Sequence, residues 1–335
     1  MFRLRWAHKS IASTGCVLAL TISLPGFCSA ATTRQENPAQ SNPPAQAGPS
    51  SPASSAVQAG AADQAGASGR KFIRDETEYK AYVAAANTED PKERAEALES
   101  FVQQYPKSVV APDALEQALS AWQAAGDAVK VLEVAKELLQ ADSGNVRALA
   151  IIVALDRLSA AQGDSAALDE LCLYSTAGMR EISMWQKPSG MADADFAALN
   201  KHMTIIFNSA AGYCALQQRN FSQARDWYGR AIEIDHADLQ NIYQLAIADL
   251  EMTPTDVNGF WYCARAIQLT KSSSHPQAAA GMEAYCKPKY ETYHGSTAGW
   301  DSIVSLSAAQ PALPPDFAKG IAPAPVAPSS PPAQK

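Results

Sequence analysis

Cysteine and histidine are the residue types in this chain best suited to bonding, redox or acid–base chemistry. Beyond residue 30 they are Cys172, Cys214, Cys263, Cys286, His202, His236, His275 and His294. No phosphate-binding glycine loop, dinucleotide fingerprint, His-Glu-x-x-His motif or serine-hydrolase elbow occurs in the sequence. The spacing of His275, Cys286 and His294 fits no usual zinc pattern. We therefore expect no catalytic residue, no cofactor and no metal, although a site assembled from residues distant in sequence stays open.

The N-terminus has the pattern of an export signal. Arg3, Arg5 and Lys9 precede a mostly apolar run at 11–24, and small residues follow at 28–33. This order predicts a secretory signal peptide over residues 1–30. The apolar run is shorter than the roughly 20 residues that cross a bilayer. We expect a periplasmic or secreted protein without direct membrane insertion after cleavage; the alternative is an uncleaved signal that anchors the chain in the inner membrane.

Two further segments are rich in Pro, Ala, Ser and Gln and poor in large apolar residues. They are 31–70 and 311–335, and we expect both to be disordered because they cannot bury enough surface to offset chain entropy. Phe317 and Ile321 could dock at the start of the second segment. Residues 71–310 remain as one folded domain. The net charge of −7 argues against a nucleic-acid partner.

Within 71–310 apolar residues recur every three or four positions, which predicts helices and no strands. A helix, a Gly-Asp turn and a second helix occur twice. The turns are Gly126-Asp127 and Gly163-Asp164, and the helices around them are predicted at 112–125, 128–141, 145–162 and 165–179. Repetition of one supersecondary unit is typical of a stacked array, and a compact helical bundle is the alternative.

Residues 205–238 carry the clearest family signature. Gly212 in the first helix is followed by Ala224, Tyr228 and Ala231 in the second. This spacing resembles the tetratricopeptide repeat (TPR) of exported cell-envelope proteins, and 239–272 resembles a further unit. The resemblance implies an all-α, right-handed superhelical solenoid of antiparallel helix pairs with a C-terminal capping helix. About five units would cover 75–292.

The resemblance also implies where a partner binds, because the first helix of each unit lines the concave groove in this family. The side chains facing the groove would then be Ile206, Ser209, Tyr213, Gln217, Gln240, Tyr243, Ile247 and Glu251. The basic and Asn residues with which some relatives hold a C-terminal carboxylate are missing at these positions. A protein or peptide held by packing and amide contacts is the expected partner. Alternatively, these side chains pack against the next helix.

Repeat geometry also suggests a pairing for the four cysteines. Cys263 and Cys286 are symmetric about the turn at 272–276, and Cys172 and Cys214 are symmetric about position 193. Antiparallel helices would bring each pair to the same level, which predicts disulfides Cys263–Cys286 and Cys172–Cys214. Four buried free thiols are the alternative.

These observations favour a non-catalytic interaction scaffold or adaptor of the cell envelope. Two other functions stay open: a carbohydrate-active or lytic envelope enzyme with an unrecognised site, and a structural subunit that self-associates through its end caps. A carboxylate pair with a raised pKa in the groove would favour the enzyme.

Overall fold

The structure is a computed structural model that describes residues 72–188, 190–271 and 276–325. The predicted signal peptide and linker, His275 and most of the turn at 272–276 lie outside the described residues. Within them the chain is all-α, with twelve α-helices, one 3-10 turn and no strand. In chain order the helices are α1 (Glu76–Ala86), α2 (Pro91–Gln104), α3 (Ala111–Ala125), α4 (Ala128–Ala141), α5 (Val146–Ala161), α6 (Ser165–Ile182), α7 (Asp193–Gln217), α8 (Phe221–Ile234), α9 (Leu239–Glu251), α10 (Asn258–Lys271), α11 (Pro276–His294) and α12 (Trp300–Ala309).

The two Gly-Asp turns separate helices as predicted. Gly126 follows α3 with φ of 77°, a conformation that glycine adopts without strain, and the carboxylate of Asp127 accepts a hydrogen bond from the backbone N–H of Lys130. Gly163 has φ of 96° and Asp164 caps α6 in the same way. The repeated dipeptide therefore ends one helix and begins the next.

From α1 to α11 each helix packs mainly against its neighbours in the chain, so these helices are arranged in chain order, and α12 folds back onto α10. The core is correspondingly divided into four hydrophobic clusters, which follow one another from α1 to α12 and overlap at shared helices. No single centre collects all the helices of the described part. The predictions of an all-α fold and of sequential packing are confirmed.

Glycines allow the closest helix approaches. A Cβ atom built on Gly212 of α7 would lie 2.8 Å from the ring of Tyr228 in α8, and one built on Gly178 of α6 would lie 2.2 Å from the ring of Phe207 in α7. Both rings are buried. The helix axes can approach this closely only because these two positions carry no side chain.

Two segments extend beyond the units described from the sequence. Helix α7 has 25 residues and begins at Asp193, ahead of the repeat unit at 205–238, and α6 continues to Ile182, three residues beyond the helix predicted at 165–179. At the other end, Phe317 is 8% exposed, and its ring centroid lies 5.5 Å from that of Trp261 in α10. The chain therefore stays on the core beyond the predicted boundary at 310, because Phe317 covers the apolar surface beside Trp261.

Candidate functional site

Both predicted cysteine pairs are at bonding distance. Cys172 of α6 and Cys214 of α7 have Cα atoms 5.7 Å apart, and Cys263 of α10 and Cys286 of α11 have Cα atoms 6.2 Å apart. Each disulfide joins two consecutive helices, as the antiparallel pairing predicts, and the alternative of four free thiols is not found. Two such bonds indicate an oxidising compartment.

On α7, the predicted groove residue Tyr213 has a cationic neighbour from α5. The guanidinium carbon of Arg157 lies 3.5 Å from the centroid of the Tyr213 ring. No acidic side chain among the described residues lies within ion-pair distance of Arg157, and burial lowers the pKa of this guanidinium. The ring and the cation together form a half-buried site with unmatched positive charge.

Next to this contact is an apolar pocket of about 200 Å³. Ile206, another predicted groove residue, lines it from α7, and Ala154 lines it from α5. The hydroxyl of Ser209, between Ile206 and Tyr213 on α7, is buried without a hydrogen-bond partner in the described part of the chain. Gln217 is exposed. Ile206 and Tyr213 thus both adjoin α5, and Ser209 lies between them along the same side of α7.

The predicted groove residues on α9 have a different environment. The Tyr243 ring contacts the Tyr285 ring of α11 at a centroid distance of 6.3 Å. Glu251 accepts hydrogen bonds from the Tyr285 hydroxyl and the Lys289 ammonium group, both at 2.8 Å. Burial acts to raise the pKa of Glu251, but the two hydrogen bonds and the positive charges of Lys289 and Arg219 together lower it. Tyr243 and Glu251 therefore bind the first helix of the following pair, as the alternative interpretation expected.

The two remaining α9 residues have weaker contacts. Gln240 is exposed and Ile247 is half-buried. The eight predicted residues thus do not form one uniform surface: the α7 members face α5, whereas two of the α9 members are occupied by α11.

A cleft of about 440 Å³ lies on the opposite side of α9, between α8, α9 and α10. The side chain of Asp249 contributes to its lining, is only 1% exposed, and has one carboxyl oxygen without a hydrogen-bond partner among the described residues. Asp256, in the turn before α10, pairs with Arg225 of α8 at 3.3 Å. Tyr262 of α10 also lines the cleft.

The electrostatics of this cleft are strongly perturbed. Burial and the nearby Asp256 carboxylate raise the pKa of Asp249 to about 8, against a smaller opposing effect of Arg225. Burial and the carboxylates of Asp249, Asp256 and Glu233 raise the pKa of Tyr262 to about 12. Negative potential therefore dominates around Asp249.

Sequence reasoning missed this cleft, although a signal was present. Asp249 interrupts the apolar stripe of α9 between Ala248 and Leu250, where a carboxylate requires an explanation. It is a carboxyl with a raised pKa next to a second carboxyl, the feature that would favour an enzyme. This carboxyl pair does not lie in the predicted groove, where such a feature was expected to favour an enzyme.

Other kinds of site were also sought. Among the described residues, no group of three or more His, Cys, Asp or Glu side chains is placed to hold a metal ion. None of the described helices is long and apolar enough to cross a membrane. No protein-family model matches the chain, and no curated protein matches it. Function must therefore be argued from the geometry of the two candidate surfaces.

Proposed function

We propose that this protein is a non-catalytic interaction module of the cell envelope, built as a TPR-like superhelical solenoid. The order in which the helices pack and the Gly212–Tyr228 contact support the solenoid, because this glycine and this tyrosine hold the positions that the TPR resemblance assigns to them. The two disulfides support export, since such bonds persist in oxidising compartments.

The partner-binding surface is the face shared by α5 and α7. The observation that carries this assignment is the Arg157 guanidinium, which stacks on Tyr213 and has no acidic neighbour in the described part of the chain. A half-buried cation without a counter-charge favours a carboxylate from outside the chain. The groove positions of α7 and α9 carry no basic residue for this role, because Arg157 comes from an earlier helix.

The neighbouring apolar pocket defines a second feature of the partner. Ile206 and Tyr213 are seven residues apart on α7, and a helix rises about 1.5 Å per residue. The pocket and the cation are therefore separated by about 10 Å along the helix. The occupant that fits both is a peptide segment with an apolar side chain and, about 10 Å away, a carboxylate.

Selection of peptides from a random display library on the full chain tests this proposal. The enriched peptides should combine an apolar residue with an acidic residue, and Arg157→Gln should weaken the binding of a synthetic representative by about tenfold or more. Tyr213→Ala should also weaken binding, whereas Tyr213→Phe, which keeps the ring under the guanidinium, should preserve most of it. Gln240→Ala on α9 is the control for a surface change outside this face.

Two results would contradict the assignment. Enriched peptides without acidic residues would remove the role of Arg157, and unchanged affinity in a correctly folded Arg157→Gln variant, checked by circular dichroism, would do the same. Self-association through the end caps is tested in parallel by measuring mass across a dilution series, since an assembly subunit would dissociate on dilution and a monomeric adaptor would not change.

A further inference from the structure

The cleft between α8, α9 and α10 has no place in the peptide-binding surface proposed above, because it lies on the opposite side of α9. Its volume of about 440 Å³ is within the usual range for small-ligand sites. Gly229 of α8 lines it, and a Cβ atom built there would meet no atom of the described residues within 4 Å. The absence of a side chain at Gly229 therefore keeps the cleft open.

The floor of the cleft contains an unsatisfied polar group. The Asp249 side chain is buried, with 1% relative exposure, and one of its carboxyl oxygens has no hydrogen-bond partner among the described residues. Buried polar atoms are normally paired, and leaving one unpaired costs about 1–3 kcal/mol. Because Asp249 is also a lining residue of the cleft, a ligand bound there could supply the missing donor after a small rearrangement of the carboxyl group.

The charges around the cleft indicate which donor this is. More acidic than basic side chains line it. The four acidic ones are Asp226, Glu233, Asp249 and Asp256, and the two basic ones are Arg225 and Arg230. Arg225 is already paired with Asp256 and Asp226, at 3.3 and 3.5 Å. Arg230 lies over the Trp227 ring, 4.7 Å from its centroid. Asp249 is left with no cation of its own.

We propose that this cleft binds the ammonium or guanidinium group of a small amine, with the Asp249 carboxylate as its counter-charge and Tyr262 beside it. A cation would supply hydrogen-bond donors to the unpaired oxygen and neutralise the excess of acidic groups. Neutral polyols would satisfy the hydrogen bond but not the charge. This proposal does not depend on the peptide-binding face.

Binding should be linked to proton release. The groups that face Asp249 are Asp256 in the turn, Arg225 on α8 and Tyr262 on α10, and the raised pKa of about 8 means that Asp249 is mostly protonated at neutral pH. A cation prefers the ionised carboxylate. Affinity should therefore rise between pH 6 and pH 8.5, with release of up to about one proton per bound amine near neutral pH.

Isothermal titration calorimetry with agmatine, which carries both cationic groups, tests the proposal on the full chain. Agmatine should bind and 1,4-butanediol should not. The number of protons released on binding is obtained by repeating the agmatine titration in buffers that differ in ionisation enthalpy. Asp249→Asn, which keeps the shape of the side chain, should weaken agmatine binding by about tenfold or more. Gly229→Leu, which fills the cleft, should abolish it.

The controls separate this site from general attraction to an acidic protein. Asp301→Asn makes the same substitution at a side chain that is 91% exposed, and it should leave agmatine binding unchanged. A short arginine-containing peptide is titrated in parallel. If this peptide bound the protein more tightly than agmatine, the ligand would be a protein side chain and not a small amine. Three results would each overturn the proposal. The first is no agmatine binding at a concentration of roughly 10 mM, the weakest affinity of interest. The others are equal binding of 1,4-butanediol and unchanged agmatine binding by a folded Asp249→Asn variant.

Discussion

Replacement of Asp249 by asparagine should make the protein more stable at alkaline pH, without any ligand. The pKa of Asp249 is raised from its ordinary value of 3.8 to about 8 in the folded chain, because the group is buried and faces Asp256. Between these two values the folded state holds a proton that the unfolded state has lost. The stabilising contribution of the protonated carboxyl is therefore complete below pH 3.8, declines as pH rises, and is lost above about pH 8.

The size of the effect follows from the shift. At about 1.4 kcal/mol per pH unit, a change from 3.8 to about 8 sets an upper limit of roughly 5–6 kcal/mol. The effective cost is lower than this limit, because proteins relax and admit water around a buried charge. We expect Asp249→Asn to gain on the order of 3 kcal/mol of unfolding free energy relative to the wild type between pH 5 and pH 9.

The assay is urea denaturation followed by circular dichroism at pH 5, 7 and 9, with the disulfides intact. The quantity to compare is the difference in unfolding free energy between variant and wild type, since contributions from all other titrating groups cancel in it. Asp301→Asn is the matched control, because its side chain is 91% exposed and its difference should not vary with pH. A difference for Asp249→Asn that stays constant from pH 5 to pH 9 would refute the reasoning.

Two further predictions concern packing. Gly212→Ala should lower the unfolding free energy by about 1–3 kcal/mol in the same assay, because the new Cβ would lie 2.8 Å from the buried Tyr228 ring. Gly229→Ala should raise it by about 0.5–1 kcal/mol, because alanine favours a helix and no described atom lies within 4 Å of the new Cβ. A loss of stability in both variants would count against the close approach of α7 and α8. Deletion of 311–335 should destabilise the protein by about 2 kcal/mol, because it removes the buried Phe317. Unchanged stability of the truncated chain would mean that Phe317 contributes nothing.

Local features of the sequence were sufficient to predict most of the helices. The Gly-Asp turns fix the end of α3 and the beginning of α4 because glycine adopts positive φ and aspartate caps the next helix. The cysteine pairs were predicted because an antiparallel connection brings positions equidistant from its centre to the same level. Cys263 and Cys286 nearly meet this condition, whereas Cys172 lies 10 residues before the end of α6 and Cys214 lies 21 residues after the start of α7. The second pair was therefore predicted correctly, but not for this reason.

The candidate sites were less accessible to sequence reasoning, because they depend on contacts between distant residues. Tyr213 could be assigned to the groove face from its helix position, but its partner Arg157 is on another helix pair, and no local pattern connects them. Similarly, the role of Tyr243 and Glu251 is determined by Tyr285 and Lys289 on α11. Periodicity predicts which face of a helix a residue occupies, but not what covers that face.

A second buried acid shows why the cleft at Asp249 is more than a consequence of helix packing. Asp156 of α5 is eleven positions after its N-cap Asn145, as Asp249 is after Asp238, and it is also buried with an unpaired carboxyl oxygen. Its pKa is raised only to about 6, because the neighbouring Lys136 partly offsets burial and Glu170.

The two equivalent positions therefore differ in their neighbours. Lys136 comes from α4 and pairs with Glu170 of α6 at 2.5 Å, so the acid in α5 lies beside a complete ion pair. At Asp249 the second acid is Asp256, and the nearest base, Arg225, is shared between Asp256 and Asp226. Asp156→Asn should accordingly show a smaller gain relative to the wild type than Asp249→Asn, one that develops between pH 3.8 and about 6 and stays constant above that pH. If the two variants behaved alike, the excess negative charge on which the amine site depends would not be specific to the cleft.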